Sequence, residues 1–264
     1  MIHPEKKIAV LIDAENTQQD ALVAIITELS KYGSLIVKRA YGDWSSLVLK
    51  NWKTPMNELA IQPIQQFSYT SGKNSSDAAM IIDAMDLLYS EKFNAFALIS
   101  SDSDFTKLAT RLKESHIHVY GVGERKTPIA FRNACDDFIY IDILKTLDTD
   151  TDTEKTDPLK IEEPKQAVEK QNQLSRQQLC QNSKLMNMLR NAANECSNEE
   201  GWAELGVCGS LIKRQHPDFD SRNFGYAKLS TLIETTELFE MKKVAMKGTN
   251  AFKLFYRDKR KNKS

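Results

Sequence analysis

Two short, unbroken apolar runs that each end on carboxylates constrain this chain more than any other feature. Ile8-Ala9-Val10-Leu11-Ile12 runs into Asp13-Ala14-Glu15-Asn16, and Phe96-Ala97-Leu98-Ile99-Ser100 runs into Ser101-Asp102-Ser103-Asp104. Neither run alternates apolar with polar, so neither reads as a strand with one wet face; both read as parallel strands buried on two sides. Parallel strands need long crossovers, usually helical. Such segments follow each run: Gln18 to Lys31, with apolar residues at 22, 25, 26 and 29, and Thr106 to Lys113.

Further elements repeat the alternation. Strands are expected at Leu35 to Tyr41, Gln62 to Tyr69, Ile117 to Val122 and Phe138 to Ile141, with a short amphipathic segment at Ser46 to Trp52. Helices are expected at Ser76 to Tyr89 and up to Ala134, the second opened by Thr127 as N-cap and Pro128 at the first helical position. Residues 1–147 therefore read as an α/β fold, a mostly parallel sheet sandwiched by helices. Residues 148–180 begin Asp-Thr-Asp-Thr-Asp-Thr, lack apolar periodicity and read as a flexible linker. From 181 to 257 the pattern suggests three helices, Ser183 to Cys196, Leu205 to Gln215 and Phe224 to Glu234. A hairpin of Leu238 to Val244 with Ala251 to Tyr256 closes this winged-helix arrangement. A basic tail occupies 258–264.

Composition excludes several classes. No run approaches the ~18 apolar residues of a membrane span, and the start lacks a signal-peptide apolar core, so a cytoplasmic location without a membrane partner is expected. Cys135, Cys180, Cys196 and Cys208 have neither zinc-knuckle spacing nor the look of a disulfide framework. Ser100 and Ser101 have no partner histidine, and Gly121-x-Gly123 is too short and too late for a dinucleotide fingerprint. The net charge of zero divides unevenly: −2 over 1–147, −3 over 148–180 and +5 over 181–264. A basic C-terminal third points weakly to a polyanionic partner.

The acids carry the chemistry. Asp13, Asp102 and Asp104 stand at the carboxyl ends of buried strands, where open α/β sheets bind ligands, and Asp77 opens a helix. Each alone is equally well explained as a helix cap or turn former. Together they would form a like-charge cluster whose repulsion a hard divalent cation, Mg²⁺ or Mn²⁺, would relieve. Such an ion suits hydrolysis of a phosphodiester. Asn16 could steady a phosphate, a water or a carboxylate.

LIDAEN at 11–16, SGKNSSDAAMIIDAMDLL at 71–88, ALISSDSDFTKLATRL at 97–112 and VYGVGERKTPIAFRNACDDFIYID at 119–142 resemble the NYN family of PIN-like nucleases, in its bacterial LabA/DUF88 branch. The resemblance implies a PIN-like fold and a Mg²⁺- or Mn²⁺-dependent ribonuclease site with Asp13, Asp77, Asp102 and Asp104 as acidic ligands and Asn16 as polar helper. It also puts Lys73, Asn74, Arg125 and Lys126 near RNA phosphates. Position 103 is Ser where many relatives have Gly.

LGVCGSLIKRQHPDFDSRNFGYAKLSTLIETTELFEMKK at 205–243 resembles the OST-HTH/LOTUS domain, a winged helix implicated in RNA binding and sometimes in protein contacts. Lys213, Arg214, Lys228, Lys242, Lys243 and Lys247 are the candidates for phosphate contacts, and Tyr226 could stack on a base or pack against the wing. The pairing of the two domains is similar to limkain-type RNA regulators. It implies a metal-dependent endoribonuclease acting in RNA processing or turnover, with single-stranded or structured RNA recruited by the second domain. The alternative is a catalytically weak module tethered to RNA or protein. A haloacid dehalogenase-type phosphatase is disfavoured, because Asp13-x-Glu15 stands where Asp-x-Asp is required.

Overall fold

A computed structural model describes residues 5–67, 75–148, 173–245 and 252–260. The chain divides into two compact units, Met1–Lys155 and Thr156–Ser264.

The first unit alternates strand and helix. In chain order it comprises β1 (Lys7–Asp13), α1 (Leu22–Ser30), β2 (Ser34–Gly42), α2 (Lys53–Glu58), β3 (Gln62–Gln65) and α3 (Ser75–Tyr89). It continues with β4 (Ala95–Ile99), α4 (Thr106–Glu114), β5 (His118–Gly123), α5 (Ile129–Ala134), β6 (Asp137–Tyr140) and α6 (Ile141–Asp148). All neighbouring strands are parallel, in the order β3-β2-β1-β4-β5-β6.

The central strands show why their sequences do not alternate. Ile8, Val10, Ile12, Ala95, Ala97 and Ile99 enter one core with Leu22, Ile25 and Leu29 of α1 and Trp52 and Met56. Ala9, Leu11, Phe96 and Leu98 enter a second core with Met80 of α3, Leu108 and Leu112 of α4 and Phe131 of α5. Both faces are covered, so every position is apolar. Asp83, unexpected in the apolar stretch of α3, accepts hydrogen bonds from Arg39 Nη1 at 2.5 Å and from the Tyr41 hydroxyl, tying that helix to β2.

Several local expectations shift. The stretch expected as a helix from Gln18 begins as a 3-10 turn at Gln19–Ala21 and becomes α-helical at Leu22. β3 stops at Gln65, and the rest of the expected strand, from residue 68, lies outside the described residues. Pro128 is the N-cap of α5, with ψ 141°, rather than its first helical residue. Thr127 instead donates its hydroxyl to the Glu124 carbonyl at 2.7 Å, closing the turn before the helix. That turn packs so closely that a Cβ on Gly123 would lie 2.7 Å from both the Ser100 carbonyl oxygen and Thr127 Oγ1.

The second unit contains α7 (Arg176–Gln181), α8 (Ser183–Glu195), β7 (Ala203–Glu204), α9 (Leu205–Gln215), α10 (Leu229–Thr236), β8 (Phe239–Ala245) and β9 (Phe252–Asp258). β9 pairs antiparallel with β7 and with β8 in a three-stranded sheet. Leu179, Leu189, Ile212, Leu232, Phe239 and Tyr256 form its core. The helix expected from Phe224 starts later: Ser221–Phe224 is a 3-10 turn, and Gly225 turns the chain with φ 82° before α10.

Two boundaries move with it. Arg176–Gln181, all but the last residue expected within the linker, form a helix with a capping box in which the Ser175 side chain and Gln178 satisfy each other's backbone N–H groups. Leu179 of that helix is fully buried. At the other end β9 runs to Asp258, which is expected in the tail. There it pairs with Arg190 at 3.2 Å and Arg260 at 2.8 Å, and the arginines hold its carboxyl below the usual range against the opposing effect of burial. Because Leu179 sits in the core, Leu179→Ala should cost about 2–5 kcal/mol in urea unfolding of the second unit. An unchanged midpoint would return this segment to the linker.

Candidate active site

The order of the strands reverses direction between β1 and β4, and crossovers leaving to opposite sides open a crevice at the carboxyl ends there. The acids stand at that point. Asp13 ends β1 and is almost fully buried. Its Oδ1 accepts the backbone N–H groups of Glu15 and Asn16 at 3.1 and 3.2 Å. Its Oδ2 accepts Asn16 Nδ2 at 2.9 Å and Ser100 Oγ at 2.7 Å. Burial pushes this carboxyl above its ordinary range, while the donors pull the other way.

Asp102 follows β4. Its backbone N–H donates to Ser100 Oγ at 3.0 Å, and its Oδ1 caps the Ser103–Phe105 turn by accepting the Asp104 N–H at 2.9 Å. Asp104 enters that turn and Asp77 the first turn of α3. One carboxylate oxygen from each of Asp77, Asp102 and Asp104 lies within 4.8 Å of the others. Capping and convergence are thus both features of Asp102. Asp77 is pushed up to about 6, first by burial and then by the negative charge of Asp13, Asp102, Glu15 and Asp104. That crowding of charge is what a hard cation would relieve, and oxygen ligands of this kind fit Mg²⁺ or Mn²⁺.

Three contributors escape a reading of the sequence alone. Ser100 bridges Asp13 and the Asp102 amide. Glu15 accepts Ser76 Oγ at 2.8 Å, beside Asp77, and the Asp43 N–H at 3.4 Å. Ser101 accepts the Glu124 N–H at 2.9 Å, drawing the β5 turn to the site. The sequence shows their types, small hydroxyl residues at the end of β4 and a second carboxylate after β1, but not these pairings.

Beside the acids an open groove of about 420 Å³ is lined by Glu15, Asn16, Ser101, Asp102, Glu124 and Lys126, among others. Lys126 is exposed there and pairs with Glu124 at 2.9 Å. Arg125 is also exposed, with its guanidinium 5.4 Å from the Tyr140 ring centre and its N–H on Asp142 Oδ2 at 3.3 Å. Lys73 and Asn74 lie outside the described residues, as does Lys247.

In the second unit, Lys213 and Arg214 are exposed in the last turn of α9 and Lys228 is exposed at the start of α10. Lys242 and Lys243 are adjacent on β8, opposite Phe255 and Leu254, so they project from opposite faces. Lys242 Nζ lies 5.1 Å from the ring centre of Trp202 and Arg257 Cζ lies 4.6 Å from it. This cation–aromatic group joins residues from separate segments. Tyr226 is buried and donates its hydroxyl to the Leu174 carbonyl at 2.7 Å, which favours its packing role over base stacking.

Residues 7–143 match the NYN domain and residues 180–250 the OST-HTH/LOTUS domain, in the expected order. The chain belongs to the NYN family. NYN domains are PIN-like and belong to a nuclease superfamily, and OST-HTH/LOTUS domains are associated with RNA binding. No curated protein resembles this NYN chain closely enough to register as a match.

Among solved structures, a protein of unknown function from Vibrio parahaemolyticus is similar at 17% identity and a TM-score of 0.45, covering 53% of this chain and 96% of its own. An uncharacterized protein from Nitrosomonas europaea is similar at 28% identity and a TM-score of 0.28, covering 39% and 92%. Among the described residues, no helix is long and apolar enough to cross a membrane.

The raised pKa of Asp77 has a definite sign. The folded state holds the proton more tightly than the unfolded chain, so this group stabilises the metal-free protein least above about 6, and its contribution falls as pH climbs from 3.8. Metal-free NYN protein should therefore lose melting temperature through that window. Mn²⁺ affinity by calorimetry should rise through it, and Asp77→Asn should flatten both trends. A pH-independent Mn²⁺ affinity would separate Asp77 from the metal.

Proposed function

We propose that the protein is a metal-dependent endoribonuclease whose NYN unit cleaves RNA and whose LOTUS unit helps hold it. The observation that carries this reading is the convergence of Asp77, Asp102 and Asp104 at the strand reversal, with Asp13 linked to Asp102 through Ser100 and close enough for its charge to raise Asp77. Asp77, Asp102 and Asp104 would hold Mg²⁺ or Mn²⁺, with Asp13 adding charge from its buried position. When bound, such an ion supplies Lewis-acid polarisation of a phosphodiester and an acidified water.

The chain's own residues do the remaining work. Ser100 and Asn16 hold the Asp13 carboxylate in place by donating to its Oδ2. Deprotonation of Asp77 would complete the ligand set, so at sub-saturating metal activity should rise as pH passes about 6. Lys126, and Arg125 on the same turn, offer positive charge to the phosphates flanking the scissile bond. In the LOTUS unit, exposed Lys213, Arg214, Lys228, Lys242 and Lys243 are the proposed backbone contacts, and Lys247 extends the set by its charge. A cytoplasmic location fits this role, and a protein partner of the LOTUS unit remains compatible with it.

Cleavage of labelled single-stranded RNA by the purified chain tests the proposal. Cleavage should require Mn²⁺ or Mg²⁺, stop in EDTA and fall at least ~10²-fold in Asp102→Asn, which keeps the side-chain shape and removes its charge. RNA binding without cleavage by wild type in either metal would leave a tethering module instead.

A further inference from the structure

A second cleft of about 430 Å³ opens at the same carboxyl edge of the sheet, on the β2–β3 side of the acids, lined by Trp44, Leu47, Lys50, Lys53, Pro63 and Gln65 among others. Its floor is well fixed. Trp44 donates its indole N–H to the Ile64 carbonyl at 3.0 Å and its backbone N–H to Gln65 Oε1 at 3.0 Å, and its ring meets Trp52 edge-on at 5.9 Å. Its rim is different in character. Leu47 and its neighbour Val48 are 86% and 84% exposed, on a short 3-10 helix, and Lys50 and Lys53 are exposed beside them. Two consecutive bare aliphatic side chains cost solvation without serving the core, which they do not enter.

A chain of hydrogen bonds links the edge of this cleft to the acidic site. Asp43, next to Trp44, donates its N–H to Glu15 Oε1 at 3.4 Å, and Glu15 Oε2 accepts from Ser76, the neighbour of Asp77. β2 and β3 lie one and two strands from β1 and two and three from β4, whose following turn carries Asp102 and Asp104, so the cleft is ~10–15 Å across the sheet from that turn. A strand of RNA extended across the sheet edge covers that distance in one or two nucleotides. An apolar, partly aromatic seat with two cations on its rim, at the same sheet edge as the proposed phosphodiester site, matches an unpaired nucleotide, base against the apolar wall and phosphate toward the lysines.

We infer that the Trp44–Leu47 cleft is a subsite for one unstacked nucleotide of single-stranded RNA flanking the scissile phosphate. It rests on the reading that the N-terminal unit works on RNA, and it adds which form of RNA the unit takes. A duplex keeps its bases stacked and inward, so it offers nothing to this apolar wall. The preference for unpaired RNA is then built into the catalytic unit itself rather than delegated to the LOTUS unit.

The test reads binding apart from catalysis. The full chain carrying Asp102→Asn, in EDTA, is irradiated with a single-stranded RNA containing 4-thiouridine, and the crosslinked peptides are mapped. Crosslinks are expected within residues 43–53. Leu47→Ser/Val48→Ser and Lys50→Gln/Lys53→Gln should each lower them about tenfold. Crosslinks to the LOTUS unit and the melting curves should not change. Crosslinks absent from 43–53, or unchanged in both variants, would overturn the inference. Concentration-dependent self-association abolished by Leu47→Ser/Val48→Ser would overturn it in favour of a contact between copies of the chain. Because no step depends on cleavage, an inactive wild type would count against the nuclease reading alone.

Discussion

The short hydrogen bond from Ser100 Oγ to Asp13 Oδ2, 2.7 Å long and buried, is the contact on which the acidic site depends. It joins the ends of β1 and β4, two strands whose pairing leaves off at Ile12 and Ile99. Beyond that pair the backbones diverge into loops, and without a side-chain link the two carboxylate-bearing ends would be positioned independently. The same oxygen accepts the Asp102 amide, so one hydroxyl sets both the buried acid and the turn that carries Asp102 and Asp104. A buried carboxylate with four donors is costly to disturb, because removing any one leaves charge poorly solvated in a low-dielectric site.

The surrounding architecture serves this arrangement. Two cores, one on each side of the sheet, lock β1 and β4 in the centre, where the backbone has least freedom. Rigid strands end in short loops, and the loops present the acids. Helix α3 brings the fourth carboxylate from the other side of the chain, and the Arg39–Asp83–Tyr41 contacts fasten that helix to β2 one strand away from the site. Stability is concentrated in the layers, and repulsion is concentrated where a ligand is to bind. Proteins commonly violate their own packing rules only at such places.

Much of this was legible in the residues. Unbroken apolar runs of five residues, too short for a helix and each followed by a helical segment, point to doubly covered strands, and acids at their carboxyl ends fall at one edge whatever the details of the helices. What escaped depends on contacts that sequence spacing does not encode. Ser100 and Asp13 are 87 positions apart, and Glu15 is read against Ser76 only once β1 and α3 are docked. Trp202 finds Lys242 and Arg257 through the pairing of β8 and β9. Helix α7 was hidden because composition averages over a window, and the polar stretch before it outweighs Leu174 and Leu179, the two apolar residues that join the core. Pro128 falls one position before the place the sequence suggests, because its ring fixes only φ, at −57°, a value shared by the first helical residue, and it is ψ that sets it outside the helix.

The edge strand β3 has a bearing on how copies of the chain can meet. It is four residues long, pairs on one side with β2, and carries Pro63, so it lacks one of the N–H groups that a visiting strand would need. A short edge missing a donor is a poor template for extending the sheet. The β3 edge is therefore blunted among the described residues, and copies of the NYN unit that meet on this side would do so through side-chain surfaces and not through a sheet continued from one molecule into the next.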